Sequence, residues 1–142
     1  MWFTTPLEPQ GIASLDPVSG AVSLIPTSGV PRQLTVAADG KIWFTVRFTP
    51  QGVGFVDPGA GNAVTEFPLT NVGPEGIAAS PAGPVWFTQT TKGNIARVTN
   101  DGVITESKAV KGSEPFGITV DADGDPWYTM MSANKIAEFQ LR

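Results

Sequence analysis

The chain has 142 residues, of which 41% are hydrophobic and 15% are charged, and its formal net charge is -4. This length suits one domain, and the negative charge disfavours nucleic-acid binding, which needs a basic surface. Cysteine and histidine are both absent, and this absence excludes disulfides, thiolate metal sites and a histidine base within the chain. No apolar stretch approaches the roughly 20 residues of a membrane helix.

A tryptophan motif, Trp-Phe-Thr or Trp-Tyr-Thr, is the first recognisable element and recurs along the chain. Its four copies are separated by 41, 43 and 41 residues and begin at Trp2, Trp43, Trp86 and Trp127. A proline stands 12 residues before each of the last three copies, at Pro31, Pro74 and Pro115. A repeat of about 40 residues that reads as four short strands is typical of a β-propeller blade.

The repeat divides the chain into a partial blade at 1–30, blades at 31–73 and 74–114, and a partial blade at 115–142. Each complete blade predicts four strands, called A to D in chain order. In the third unit they cover residues 76–80, 85–88, 94–98 and 103–107, which are bounded by turn-forming residues. The Asp39-Gly40 pair predicts a tight A–B turn. The predicted fold class is therefore all-β, with roughly 3.5 four-stranded antiparallel propeller blades.

The predicted strands do not complete a ring, because closed propellers have about four to eight blades. Two copies of the chain would supply enough strands for seven blades. However, the first unit lacks strand A and the last lacks strand D, so a shared blade would contain strands B and C twice. A segment of a longer propeller is the alternative that this pattern favours. In both cases we expect the repeat tryptophans to pack between sheets and the open ends to expose sheet edges and apolar faces.

The repeated motifs resemble those of the streptogramin B lyase (virginiamycin B lyase) family. They are Pro74-Glu75-Gly76-Ile77, Asp39-Gly40, Trp86-Phe87-Thr88, Asn94-Ile95 and Thr65-Glu66-Phe67-Pro68-Leu69. The resemblance covers nearly the whole chain and implies about half of a seven-bladed propeller. It also implies a carbon–oxygen lyase activity, an elimination that opens the ester bond of a cyclic depsipeptide antibiotic with help from Mg²⁺. Antibiotic resistance would be the biological consequence.

The chain departs from the family pattern at the positions that carry catalysis. In the family the motif continues as Trp-Phe-Thr-Glu, with a histidine base and glutamates nearby. Here the residue after the threonine is never glutamate; it is Thr5, Val46, Gln89 or Met130. A general base must lie within hydrogen-bond reach of the proton that it removes. We therefore assign no catalytic residue to this chain and expect it to be inactive alone.

Strand polarity predicts where a ligand would bind. In an up-and-down blade the B–C and D–A loops lie on one face and the A–B and C–D turns on the other. The first face carries six polar residues that we predict to bind a ligand: Arg32, Arg47, Glu75, Gln89, Lys92 and Glu114. Their mixed charge suits a polar or peptidic ligand, and Glu75 and Glu114 would offer oxygen ligands to Mg²⁺. The alternative is that these side chains are polar only because they are solvated.

The opposite face carries aspartates that we interpret as turn formers. The Asp121–Asp125 run superficially resembles a calcium loop, but Ser132 stands where the required glutamate would be. A turn is therefore the favoured interpretation of that segment.

Three functions remain open from the sequence. In the first, the chain is part of a streptogramin-lyase-like enzyme. In the second, it is a non-catalytic propeller module that binds a peptide, saccharide or protein. In the third, it is a self-assembling partial propeller. The expected partners are a small cyclic peptide or polar ligand and either a second copy or further blades, but not nucleic acid or a membrane. Residues 1–5 lack the features of a signal peptide, and the absence of cysteine favours a cytoplasmic location while leaving a secreted one open.

Overall fold

A computed structural model describes residues 1–81, 83–108 and 110–140 of the protein. Within these ranges fourteen strands form four antiparallel sheets, which confirms the prediction of an all-β propeller segment. The predicted end of the last unit at residue 142 lies outside the described residues. Among those residues no helix has the length and apolar character needed to cross a membrane.

The first two sheets are called blade 1 and blade 2. Blade 1 contains β1 (Trp2–Thr5), β2 (Gly11–Leu15) and β3 (Val22–Pro26). Blade 2 contains β4 (Pro31–Val36), β5 (Ile42–Val46), β6 (Gln51–Asp57) and β7 (Ala63–Leu69), with a short 3₁₀ helix at Pro58–Ala60 before β7. Strands that are adjacent in each sheet are also adjacent in the chain, so each blade is a simple antiparallel meander.

The remaining sheets are called blade 3 and blade 4. Blade 3 contains β8 (Pro74–Ala79), β9 (Val85–Gln89), β10 (Asn94–Val98) and β11 (Ile104–Glu106). Blade 4 contains β12 (Pro115–Val120), β13 (Pro126–Met130) and β14 (Lys135–Glu138). Strand A of blade 3 begins at Pro74, two residues earlier than predicted. The first residue of a strand is a place where proline is tolerated despite its missing N–H.

The A strands of successive blades lie side by side: β4 contacts β8, and β8 contacts β12. Each of the three has a register irregularity after its first proline; in β8 it lies between Pro74 and Ile77. Gly76 lies in this irregular stretch, and a Cβ atom there would be only 2.3 Å from the carbonyl oxygen of Phe116 in blade 4. The close approach of two A strands therefore requires glycine at this position.

The largest apolar cluster lies between blades 2 and 3. Trp43 and Phe87 are fully buried in it, together with Val53, Phe55 and Val85. The ring centroids of Trp43 and Phe55 are 4.9 Å apart, close enough for a favourable aromatic pair. The predicted packing of repeat tryptophans between sheets is confirmed for Trp43.

The same prediction is wrong for Trp127, which is 40% exposed although Trp43 and Trp86 are 0% and 2% exposed. Among the described residues no further sheet packs on the outer face of blade 4. The indole Nε1 of Trp127 instead donates a hydrogen bond of 3.0 Å to the Asp121 carboxylate in its own blade.

The motif threonine joins each blade to the next. Thr45 Oγ1 donates a hydrogen bond to the carbonyl oxygen of Glu75 at 2.7 Å, and Thr88 Oγ1 donates one to that of Phe116 at 3.0 Å. Thr4 makes the equivalent contact with Arg32 at 3.5 Å. The acceptor is in every case the residue after the repeat proline. This bond therefore fixes the position from which Arg32 and Glu75 extend their side chains.

Candidate functional site

Three of the predicted site residues form one ion-pair cluster across the junction of blades 2 and 3. Glu75 accepts hydrogen bonds from Arg32 Nε at 3.1 Å and Nη2 at 2.9 Å on one carboxylate oxygen. Its other oxygen accepts a hydrogen bond from Arg47 Nη1. The Glu75 side chain is only 2% exposed, whereas those of Arg32 and Arg47 are 39% and 30% exposed. The buried carboxylate thus holds two guanidinium groups that still reach solvent.

Arg47, Lys92 and Glu114 surround a single cavity of about 460 Å³ on the same face. The cavity lies where the B–C loops of blades 2 and 3 meet the D–A loop that leads into blade 4. We call this cavity the mouth, and it is lined by Arg47, Thr90, Thr91, Lys92, Gly93, Val110, Lys111, Gly112 and Glu114. The structure therefore brings the B–C and D–A loops together on one face, as the strand polarity predicted.

Besides Arg47, three further lining side chains already have partners. Lys92 Nζ lies 2.5 Å from the Glu106 carboxylate, and this hydrogen bond lowers the pKa of Glu106 below its usual value. Glu114 accepts a hydrogen bond from the Ser132 hydroxyl of blade 4. Thr90 Oγ1 donates to the carbonyl oxygen of Pro115 at 2.7 Å, which ties the B–C loop of blade 3 to blade 4.

Gln89 is not part of the mouth, although we predicted it among the loop residues. Strand β9 extends through Gln89, and the residue is fully buried. Successive side chains of a strand point to opposite faces. Because Thr88 bonds to blade 4, Gln89 faces the junction with blade 2, on the same side as Phe87.

Lys111 and Thr91 line the mouth, but the sequence did not single them out. Lys111 lies in the long loop between β11 and β12, where no motif marks it. Its only signal is its position four residues before the repeat proline Pro115. Thr91 follows the repeat motif closely, and its backbone N–H donates to the carbonyl of Val72 at 3.1 Å.

The magnesium expectation remains a prediction, and the geometry of Glu75 does not fit it. Both carboxylate oxygens of Glu75 already accept hydrogen bonds from guanidinium groups, and the positive charges of Arg32 and Arg47 oppose a divalent cation at the same carboxylate. Mg²⁺ prefers carboxylate and water oxygens in a near-octahedral arrangement. We therefore derive no chemical step through a metal at this mouth.

The opposite face contains the turn aspartates. Asp57 accepts a hydrogen bond from the Gly59 N–H at 2.9 Å, and Asp121 accepts one from the Asp123 N–H at 3.0 Å, as the turn interpretation predicted. Asp39 also has a contact beyond its own turn: its carboxylate accepts a hydrogen bond of 2.9 Å from the Asn100 amide of blade 3. This face therefore adds one exposed hydrogen bond between blades 2 and 3.

The fold and the mouth define a β-propeller segment with a polar, loop-lined cavity at one face. Sequence comparison then identifies the type of propeller. The chain belongs to the virginiamycin B lyase family, whose pattern matches residues 1–142. A comparison with curated protein sequences found no match.

Solved structures of related proteins share this fold. A streptogramin B lyase is 32% identical, with a TM-score of 0.81 over 99% of this chain and 50% of its own. Virginiamycin B lyase from Staphylococcus aureus is 25% identical, with a TM-score of 0.82 over 99% of this chain and 52% of its own. A catalytically inactive histidine-to-alanine variant of the S. aureus enzyme, solved with quinupristin, is 29% identical, with a TM-score of 0.74 over 92% of this chain and 48% of its own. The chain thus spans about half the length of these proteins.

Proposed function

We propose that this chain provides a ligand-binding mouth of a virginiamycin B lyase-like propeller, and that its ligand is a cyclic depsipeptide antibiotic of the streptogramin B class. The observation that carries the proposal is the set of cationic and hydroxyl donors around the mouth, in a chain that belongs to this family. The related S. aureus enzyme solved with quinupristin supports the choice of ligand.

The chemistry of the mouth suits such a ligand. A cyclic depsipeptide presents many ester and amide carbonyl oxygens, which only accept hydrogen bonds. Arginine and lysine side chains only donate them, and a threonine hydroxyl can donate one. The mouth offers Arg47, Lys92 and Thr91 as donors. Its volume of about 460 Å³ lies within the range of roughly 300–1,000 Å³ found for small-molecule sites.

Within this proposal the chain binds and orients the ligand but does not remove its proton. Eliminative ring opening breaks a C–H bond and the adjacent C–O bond, forms a C=C bond and releases the ester oxygen as part of a carboxylate. A base must take the proton, and the chain contains no histidine. Arg47 would favour the developing negative charge through the part of its positive charge that the shared Glu75 carboxylate leaves uncompensated.

A binding assay and a turnover assay on the purified chain test the proposal together. Isothermal titration with quinupristin is expected to show saturable binding. Chromatography with mass detection is expected to show no ring-opened product above the uncatalysed level. Elimination leaves the mass of the antibiotic unchanged and alters its retention, whereas hydrolysis adds one water, so the two reactions are distinguishable. Absence of binding, or catalysed ring opening by this chain, would contradict the proposal.

A matched pair of variants locates the binding. R47Q removes a cation at the mouth and is expected to weaken quinupristin binding about tenfold or more, the effect of losing one charge-assisted hydrogen bond. K41Q removes a cation on the opposite face, where Lys41 pairs with Asp39, and is expected to leave binding unchanged. Equal effects of both substitutions would move the binding site away from the mouth.

A further inference from the structure

The mouth has an unbalanced charge that binding of a carbonyl-rich ligand does not require. Three cationic side chains, Arg47, Lys92 and Lys111, line it together with one carboxylate, Glu114. The chain as a whole carries a formal net charge of -4. A local excess of positive charge in an acidic protein, concentrated in a cavity, focuses the field on small anions.

The partners of these charges show which of them are available to a ligand. Lys92 is neutralised by Glu106 at 2.5 Å, and Arg47 is held by the buried Glu75. The carboxylate of Glu75 is shared with Arg32, so the three-residue cluster retains one net positive charge. Lys111 has no carboxylate within 4.0 Å among the described residues. The mouth therefore contains one unpaired ammonium group and one guanidinium that is only partly neutralised.

The geometry holds Arg47 in place for recognition. One nitrogen, Nη1, binds Glu75, and the guanidinium carbon lies 6.0 Å from the ring centroid of Phe48. A guanidinium fixed on one side presents its remaining donors as a planar fork, which matches the oxygens of a carboxylate or phosphate. A pre-oriented arginine loses less conformational entropy on binding than a free one.

We propose that the mouth contains a binding site for an anionic group, a carboxylate or a phosphate, with Arg47 and Lys111 as its principal ligands. This inference goes beyond the proposed depsipeptide ligand and does not depend on it. Glu114 opposes the anion from the same cavity and sets the affinity by its charge. The contrast between Lys111 and Lys108, a lysine of the same loop that does not line the mouth, distinguishes a built site from a generally basic surface.

The test is a titration of the isotope-labelled chain, followed by backbone amide chemical shifts, with sodium phosphate in one series and sodium acetate in another. Ionic strength is held constant with sodium chloride. Saturable shifts are expected in residues 90–93 and 110–114. Saturation by phosphate alone would identify the ligand group as a phosphate, and saturation by acetate would identify it as a carboxylate.

Three variants make the result decisive. K111A is expected to weaken anion binding about two- to fivefold, as for the loss of one partly exposed ion pair. E114Q is expected to strengthen it by a similar factor, because it removes the opposing carboxylate. K108A changes an exposed lysine of the same loop that does not line the mouth, and no change is expected. Equal weakening by K111A and K108A, or identical shifts with sodium chloride alone, would overturn the proposal.

Discussion

Thr45 of blade 2 donates a hydrogen bond of 2.7 Å to the backbone carbonyl of Glu75 in blade 3, and both residues are buried. The same threonine accepts a hydrogen bond from the Gln33 N–H at 3.3 Å. One hydroxyl thus connects strand A of its own blade to strand A of the next. Since the Glu75 side chain holds Arg32 and Arg47, the repeat motif that builds the ring also positions the residues of the mouth.

Replacing Thr45 with valine is expected to destabilise the protein. T45V keeps the shape of the side chain but leaves the Glu75 carbonyl and the Gln33 N–H without this partner. A buried polar group without a hydrogen bond costs about 1–3 kcal/mol. Chemical denaturation followed by tryptophan fluorescence measures the change. T129V alters the equivalent threonine of blade 4, which is exposed and, within the described part of the chain, bonds only to the Gly117 N–H. T129V is expected to cost less, and an equal loss would show that the junction bond is not the cause.

Gly76 and Gly117 occupy the same motif position but differ in their surroundings. A Cβ atom at Gly76 would lie 2.3 Å from the Phe116 carbonyl oxygen, whereas one at Gly117 would lie 3.5 Å from its nearest neighbour, Thr129 Oγ1. G76A is therefore expected to lower the free energy of unfolding by about 1–3 kcal/mol, as overpacked sites do. G117A is expected to be tolerated. Urea denaturation of the two variants provides the comparison, and similar stabilities would contradict the close approach of β8 and β12.

The fold could be predicted from the sequence because the signal repeats. Four tryptophan motifs at near-constant spacing mark four sheets, and the turn-forming pairs mark their boundaries. The inter-blade role of the motif threonine could not be inferred, because threonine is common in strands and its partner lies about 30 residues away. Contacts between blades depend on the path of the whole chain and not on local propensity.

The site was only partly predictable for the same reason. Strand polarity correctly placed Arg47, Lys92 and Glu114 on one face, where they line the mouth. It misplaced Gln89, because the exact end of β9 decides whether the side chain faces the loops or the blade junction. It also missed Lys111, since a lysine in a long loop without a motif cannot be distinguished from a solvated one.

Lowering the pH is expected to destabilise the Asp39 turn of blade 2. The hydrogen bond from Lys41 lowers the pKa of Asp39 below its usual value of 3.8, and the Asn100 amide of blade 3 contributes in the same direction. A carboxylate with a lowered pKa in the folded state stabilises the protein above its usual pKa. This stabilisation is lost as the pH falls through the folded-state value. Thermal unfolding is therefore expected to become easier as the pH falls below the usual value of 3.8, with a smaller change in D39N.

The control for this experiment is D123N, which alters an exposed aspartate at the equivalent turn position of blade 4. It should retain the pH dependence of the unmodified protein. A D39N variant that follows the same pH profile as the unmodified protein would exclude Asp39 as a source of the effect.

The outer face of blade 4 is expected to drive self-association. Ile136 is 70% exposed, whereas the residues at its repeat position in the other blades, Ile12, Val53 and Ile95, are fully buried. An apolar face of this kind is an association site. Light scattering across a concentration series should show growing mass, and I136S should reduce it. V103S replaces an isolated exposed valine of blade 3 and should not; equal behaviour of the two variants would place the association surface elsewhere.

Hydrogen exchange of the chain with and without quinupristin tests most directly whether the mouth is the ligand site. We expect slowed exchange in residues 47–50, 90–93 and 110–114, which border the mouth, and unchanged exchange in the turns 37–41 and 121–125 on the opposite face. Protection confined to the opposite face, or no protection at saturating ligand, would contradict the proposed role of the mouth.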